Sequence, residues 1–277
     1  MTASAFTGKL GVIGAGVMGR ALIAALIEQG VIPAAQVWAA AKSEKSCQRA
    51  RQSLGIDAFV NYRQALADTA ALLLCVKPYQ LADVVETLKK YGLPAHTLII
   101  SIVAGKTLAS IETQLVTPNP VIRAMPNTPC MVGQGMTVFC PGSFAEEAHL
   151  ETARQIFEAF GECLQLEEHH FDAATGLGGS GPAYLYLIME ALADGGVRVG
   201  LPRDVALAIV SQTVLGAATM VKRSGRHPAA LRDDVTTPAG CTIAGLLTLE
   251  DGKIRSVLAR AVQEAARTAA ELGARPH

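Results

Sequence analysis

KLGVIGAGVMG, residues 9–19, is the stretch on which the reading of this chain turns. Leu10, Val12 and Ile13 have the character of a short buried strand. Gly14, Gly16 and Gly19 then spell G-x-G-x-x-G, and the apolar-rich residues 17–27 read as a helix opening directly behind them. Each glycine has its own task in such a loop: Gly14 permits the tight turn out of the strand, Gly16 removes a Cβ that would block a pyrophosphate, and Gly19 lets helix and strand pack closely. The pyrophosphate of a dinucleotide would rest on free N–H groups at the helix start. A glycine-rich turn can be no more than a turn, but a strand before it, a helix behind it and its place at the start of the fold point to dinucleotide binding.

Working outward, residues 36–40 (QVWAA) read as the second strand, and the residue beyond that strand selects the cofactor, because a carboxylate there would bind the ribose 2′-hydroxyl of NAD. The chain instead continues Ala41-Lys42-Ser43, a cation and a hydroxyl suited to a 2′-phosphate. Arg49 and Arg51 on the following helix are further candidates. NADPH is therefore the expected cofactor, with NADH as the alternative. Residues 70–76 (AALLLCV) and 97–103 (TLIISIV) read as buried parallel strands ending in Lys77-Pro78 and Ala104-Gly105. Ligands bind at the carboxyl ends of such strands, so Val76, Lys77, Pro78 and Ala104 are candidate lining residues. Residues 56–60, 121–124, 135–139 and 161–166 complete the strand pattern, with a rigid Met125-Pro126-Asn127-Thr128-Pro129 loop displaying one amide and one hydroxyl between prolines.

Past about residue 168 the period changes, and only helical patterns punctuated by Gly and Pro remain. The expected fold is α/β: a Rossmann-type dinucleotide-binding domain over residues 1–167, βα throughout, followed by an all-helical domain over 168–277. Within the latter, Thr236-Thr237-Pro238-Ala239-Gly240-Cys241-Thr242 leads straight into an apolar helix. Its amides and hydroxyls can cap that helix or dock an anion, and the sequence leaves both roles open.

Composition narrows the classes further. Half of the 277 residues are hydrophobic, only 17% are charged, and 24 Lys and Arg balance 24 Asp and Glu. So apolar a chain either buries unusually much in one subunit or hides surface between subunits, and an oligomer is expected; a chain without net charge lacks the basic field of a nucleic-acid binder. The six cysteines and six histidines show no metal-ligand spacing, so no metal is expected and the thiols are expected reduced. No uninterrupted apolar run reaches the roughly 18–20 residues that cross a bilayer and residues 1–7 lack a leader pattern, so no membrane partner and a cytoplasmic setting are expected.

Six stretches together resemble the pyrroline-5-carboxylate reductase family: IGAGVMG at 13–19, CVKP at 75–78, AMPNTP at 124–129, ATGLGGSGPAY at 174–184, DGGVRVGLPRDVA at 194–206 and HPAALRDDVTTPAGCTIAGL at 227–246. The resemblance implies reduction of L-1-pyrroline-5-carboxylate to L-proline by NADPH, and a helical dimerisation domain whose homodimers can assemble as a pentamer of dimers. It implies pyrophosphate contacts from Gly14, Gly16, Val17 and Met18, adenosine-ribose contacts from Lys42 and Ser43, and a nicotinamide side at Val76, Lys77, Pro78 and Ala104. On the substrate side it implies Asn127, a carboxylate loop of Thr237, Ala239, Gly240 and Cys241, and Thr242 as the hydroxyl at the ring nitrogen. The family loop usually carries two serines and a glycine where this chain has Thr236, Thr237 and Ala239. Two other classes compete: a β-hydroxyacid dehydrogenase, which needs a helix-borne lysine near an asparagine, and a non-catalytic nucleotide-responsive protein, which needs no imine-anchoring loop.

Overall fold

A computed structural model describes residue 6 and residues 8–274. Eight strands, β1 (Lys9–Ile13), β2 (Val37–Ala40), β3 (Asp57–Phe59), β4 (Thr69–Leu74), β5 (Leu98–Ser101), β6 (Val121–Met125), β7 (Gly135–Pro141) and β8 (Gly161–Gln165), form one sheet. Their spatial order is β3-β2-β1-β4-β5-β6-β7-β8. The chain winds outward from β1 to β3 and then returns to the other side of β1 with β4, so the order reverses between β1 and β4, the switch point at which doubly wound sheets bind ligands.

The central strands are apolar on both faces because both faces are covered. Leu10, Val12 and Leu73 enter one core, while Ile13, Leu72 and Leu74 enter the other. Helices α1 (Val17–Glu28), α2 (Glu44–Leu54), α3 (Leu81–Tyr91), α4 (Leu108–Glu112) and α5 (Glu147–Glu158) connect the strands. The expectation of βα units throughout fails at two places: β3 and β4 are joined by a 3-10 turn at Gln64–Leu66 with no α-helix, and β6 and β7 are antiparallel, with Ala124 opposite Phe139 and Met125 opposite Val138. Residues 126–134 hold only a 3-10 turn, Thr128–Val132, and return the chain directly alongside β6.

The chain divides into two compact units, one holding the residues up to Gly179 together with those from Ala265 onward, the other Ser180–Glu264. The change of periodicity placed a boundary at 167/168 instead. Phe171 accounts for part of the difference, since it is 1% exposed in the same core as Leu72 and Val121 and so belongs physically to the sheet unit. After α6 (Phe171–Ala174) and a wide π-helical turn at Thr175–Gly179 come α7 (Gly181–Arg198), α8 (Arg203–Ser224), α9 (Pro228–Asp234), α10 (Cys241–Asp251) and α11 (Ile254–Ala274).

α7 and α8 form a hairpin at close quarters. Ala193 and Ala206 are buried, and a Cβ on Gly196 would lie 3.2 Å from that of Ala206. Their other faces are bare: Leu185, Tyr186 and Leu187 on α7, and Leu207, Ile209, Leu215 and Met220 on α8, are all exposed. By length and a mean hydropathy of 1.6, α8 is also apolar enough to cross a membrane. Counting uninterrupted apolar residues hid this, because Ser211, Gln212 and Thr213 break the run without lowering its average much.

Candidate active site

The nucleotide loop is built as its glycines require. Gly14 sits at φ +109°, and the N–H groups of Gly14 and Ala15 both donate to the Ala40 carbonyl, at 3.0 and 3.2 Å. A Cβ on Gly14 would lie 2.5 Å from the Cys75 carbonyl oxygen, and one on Gly19 would run into the Gly14 carbonyl oxygen. Around Gly16, by contrast, a Cβ would meet nothing within 4 Å. That open space lies at the N-cap of α1, which has neither a side-chain cap nor an acidic residue in its first turn. An uncapped helix start beside a bare glycine fits the pyrophosphate of a dinucleotide. Val17 is exposed at this end, and the Met18 sulfur lies 3.6 Å from the Cys130 sulfur, joining the loop to the segment after Asn127.

A cleft of about 490 Å³ opens from this loop, with Gly14, Gly16, Lys42, Ser46, Val76 and Lys77 in its walls. Tyr62 and Tyr91 also line it, edge to face at 5.3 Å between ring centroids. Burial pushes the Tyr62 phenol up to about 12, so it remains protonated. No carboxylate follows β2, and Lys42 is the cation at that end. The Ser43 hydroxyl is engaged as the N-cap of α2, accepting the Ser46 N–H at 3.3 Å and sharing a hydrogen bond with the Ser46 hydroxyl at 3.1 Å. Ser46, absent from the sequence candidates, is the serine that lines the cleft. Arg51 is committed elsewhere, to Glu44 at 2.6 Å and to the Ala58 carbonyl.

Pro78 and Ala104 line a second, smaller pocket of about 250 Å³, shared with Gly105, Arg123, Met125 and Phe171. Asn127 braces the adjoining loop from both ends of its amide. Nδ2 donates to the Gly178 carbonyl at 3.0 Å, and Oδ1 accepts the Met136 N–H at 2.9 Å. Arg123, buried in β6, pairs with Glu168 at 2.8 Å. Neither partner is legible as a pair in the sequence, where they stand in different segments. Burial raises the Cys75 thiol far above its ordinary value, so it is an inert neutral wall of the cleft.

In the helical unit, Arg226 grips Asp234 through two hydrogen bonds of 2.6 and 3.1 Å and so closes α9, and the Thr236 hydroxyl donates to the Arg232 carbonyl at 2.7 Å. The chain then makes a turn closed by Gly240 N–H donating to the Thr237 carbonyl at 3.1 Å. Pro238 occupies its second position and Ala239 its third, at φ +57°, where glycine is the usual residue. Gly240 is the N-cap of α10, again without a side-chain cap or an acidic first turn. A Cβ there would lie 2.5 Å from Thr237 Oγ1. Among the described residues no hydrogen bond involves the Thr237 or Thr242 hydroxyl. Thr248, deeper in the same helix, bonds the Ala244 carbonyl four residues back at 3.2 Å, an option that position 242, so close to the helix start, lacks. Two free hydroxyls and a run of outward N–H groups at one helix start can hold a small carboxylate and one further polar atom.

A family model described as pyrroline-5-carboxylate reductase dimerisation matches residues 168–272, and one described as NADP oxidoreductase coenzyme F420-dependent matches residues 9–105. The chain is 42% identical over 263 residues to a pyrroline-5-carboxylate reductase of Glycine max, covering 95% of each chain. It is 39% identical over 265 residues to that of Methanosarcina acetivorans, covering 96% of this chain and 98% of the other. Among solved structures, a pyrroline-5-carboxylate reductase from Coxiella burnetii superposes with a TM-score of 0.89 at 32% identity, over 96% of this chain and 99% of that one. A pyrroline carboxylate reductase from Plasmodium falciparum with NADP bound gives 0.86 at 29% identity, over 97% and 99%.

Proposed function

The chain belongs to the pyrroline-5-carboxylate reductase family, and on that premise we propose how its residues divide the reduction of L-1-pyrroline-5-carboxylate to L-proline, the final step of proline biosynthesis. NADPH, or NADH in its place, supplies a hydride from C4 of its nicotinamide to the imine carbon. Gly14, Gly16, Val17 and Met18 hold the pyrophosphate at the start of α1. Lys42 and the Ser43–Ser46 hydroxyl pair receive the 2′-phosphate, and Val76, Lys77, Pro78 and Ala104 flank the nicotinamide. Residues 1–167 thus carry the reductant, and residues 168–277 supply the substrate loop and the dimer contacts.

The N–H groups of Ala239, Gly240 and Cys241, with the Thr237 hydroxyl, hold the substrate carboxylate, and the Thr242 hydroxyl hydrogen-bonds the ring nitrogen. Asn127 serves the substrate side by bracing its loop, with one amide N–H left for a ligand. A protonated cyclic imine is already a good hydride acceptor, so the protein contributes orientation and exclusion of water rather than an acid–base pair. An unassisted threonine hydroxyl is poorly matched to proton transfer near neutrality. The observation that carries this reading is the pair of unengaged hydroxyls, Thr237 and Thr242, at the uncapped start of α10.

The test is NADPH oxidation with pyrroline-5-carboxylate, by the wild type and by Thr242→Ala. The variant is expected to lose about tenfold or more in kcat/KM while its NADPH affinity stays unchanged. An unchanged kcat/KM removes Thr242 from the mechanism, and no turnover by the wild type removes the reading. The protein is a homodimer through its helical domain. A pentamer of dimers is the further assembly proposed, which sedimentation distinguishes from a lone dimer. The six free thiols support a reducing, cytoplasmic setting.

A further inference from the structure

Arg123 is a charged residue placed where the sheet buries everything else. It is 7% exposed in β6, its Nη1 lies 2.8 Å from Glu168 Oε1, and its guanidinium stands 4.5 Å from the centroid of the Phe171 ring. The same Glu168 oxygen accepts the N–H of Leu108, the first residue of α4, at 2.7 Å. One carboxylate oxygen therefore joins a strand, a helix start and the segment that leads out of the sheet. A second tie acts on that segment ten residues later, where the Gly178 carbonyl receives the amide of Asn127. Residues 168–179 are strapped at two points to β6 and its exit loop.

Between those points the strap carries Phe171, Asp172 and Thr175, which line the 250 Å³ pocket together with Pro78 and Ala104 at the ends of β4 and β5. The strap forms one wall of that pocket, with Ala269 and Leu272 of α11 lining it as well. A buried ion pair adds little stability that a well-packed apolar pair would not match, because desolvation offsets most of the attraction. What it adds is direction, since a hydrogen-bonded guanidinium stacked on a ring has one geometry.

We propose that Arg123 and Glu168 are positioning residues that set the width of the nicotinamide-side pocket, and so the distance over which the hydride travels. This rests on the assignment of Pro78 and Ala104 to the nicotinamide side. The pair lies away from Lys42 and the glycine loop, so loosening it degrades the hydride step and leaves cofactor affinity alone.

Glu168→Gln keeps the volume and an acceptor for Leu108 N–H but removes the charge. For this variant, kcat with pyrroline-5-carboxylate should fall about tenfold, because misplacing reacting atoms by a fraction of an ångström carries penalties of that order. The NADPH Kd by fluorescence titration should stay within about twofold, and the isotope effect with NADPH deuterated on the transferred face of C4 should equal or exceed the wild-type value. An unchanged kcat overturns the proposal, as does a loss shared by Kd, or an isotope effect that collapses toward unity. The double variant Arg123→Met/Glu168→Met guards against simple unfolding: it should melt near the wild-type temperature yet remain slow, and full activity in a stable double variant overturns the proposal equally. Failure of the proposed reduction itself shows separately, as absence of imine turnover by the wild type.

Discussion

Adding one methyl group at each of three glycines in residues 14–19 should produce opposite results. At Gly16 the backbone is at φ −75° with nothing within 4 Å of a Cβ, so Gly16→Ala is sterically free. Alanine is the poorer N-cap by about 0.5–1 kcal/mol, and it restricts the unfolded chain by about 0.4–1 kcal/mol, so the two effects cancel and the melting temperature should hardly move. The same methyl group occupies the space assigned to the pyrophosphate, and the NADPH Kd should rise tenfold or more, a loss of about 1.4 kcal/mol or above. At Gly19 the Cβ collides with the Gly14 carbonyl oxygen. Overpacking of that kind costs about 1–3 kcal/mol, and at about 2–4 °C per kcal/mol for a unit of this size Gly19→Ala should melt several degrees lower. Gly14→Ala adds a φ of +109° to a 2.5 Å clash with the Cys75 carbonyl oxygen and should be the least stable of the three. The assay is a thermal melt of cofactor-free protein beside a fluorescence titration with NADPH. A stable Gly16→Ala that binds NADPH like the wild type would refute the placement of the pyrophosphate.

Lys42→Glu sets a like charge where the 2′-phosphate is assigned, so kcat/KM with NADPH should fall about tenfold or more while that with NADH changes little. Equal losses for the two cofactors would remove Lys42 from the 2′-phosphate site. At Ala239, held at φ +57°, Ala239→Gly should alter stability by less than about 1 kcal/mol, because relief of the left-handed strain opposes the added freedom of the unfolded chain. Ala239→Val should be clearly destabilised, and a valine variant as stable as the wild type would mean the turn adopts another conformation. Burial raises the thiols of Cys75, Cys130, Cys140 and Cys163, Cys140 to about 12. In the unfolded chain they ionise near about 8.5. Above that pH the native state holds more protons than the unfolded one, so stability falls as pH rises. The melting temperature in reducing buffer should drop between pH 8 and 10, less steeply for Cys140→Ala; a flat profile contradicts the burial argument.

The parts of this molecule legible in its sequence are those written in neighbouring residues. Leu10 through Gly19 carries strand, turn and helix in one window, and the absence of a carboxylate after Ala40 is visible without coordinates. Strand direction is a different kind of fact. Residues 135–139 have the composition of a strand, but composition is the same read forward or backward, and nothing local to them says that β7 runs against β6. Side-chain commitments are hidden for the same reason. Ser43 and Ser46 look equivalent until the first is seen capping α2, and Arg51 looks free until Glu44 takes it. The Arg123–Glu168 pair stands 45 residues apart in sequence, so no local pattern announces it. Phe171 belongs to the helical pattern by periodicity and to the sheet by packing, so the change of period at 168 and the packing unit that ends at Gly179 mark different things.

Leu207, Ile209, Leu215 and Met220 along α8 are exposed in the single chain, within the segment matched by the dimerisation family model. Dilution therefore acts on this protein as a denaturant acts on others, by favouring the state in which apolar surface meets water. A dimer joined through its helical domain answers to a second-order equilibrium as well as a first-order one. A mutation there that leaves the melting curve intact at high concentration can still empty the active population at low concentration.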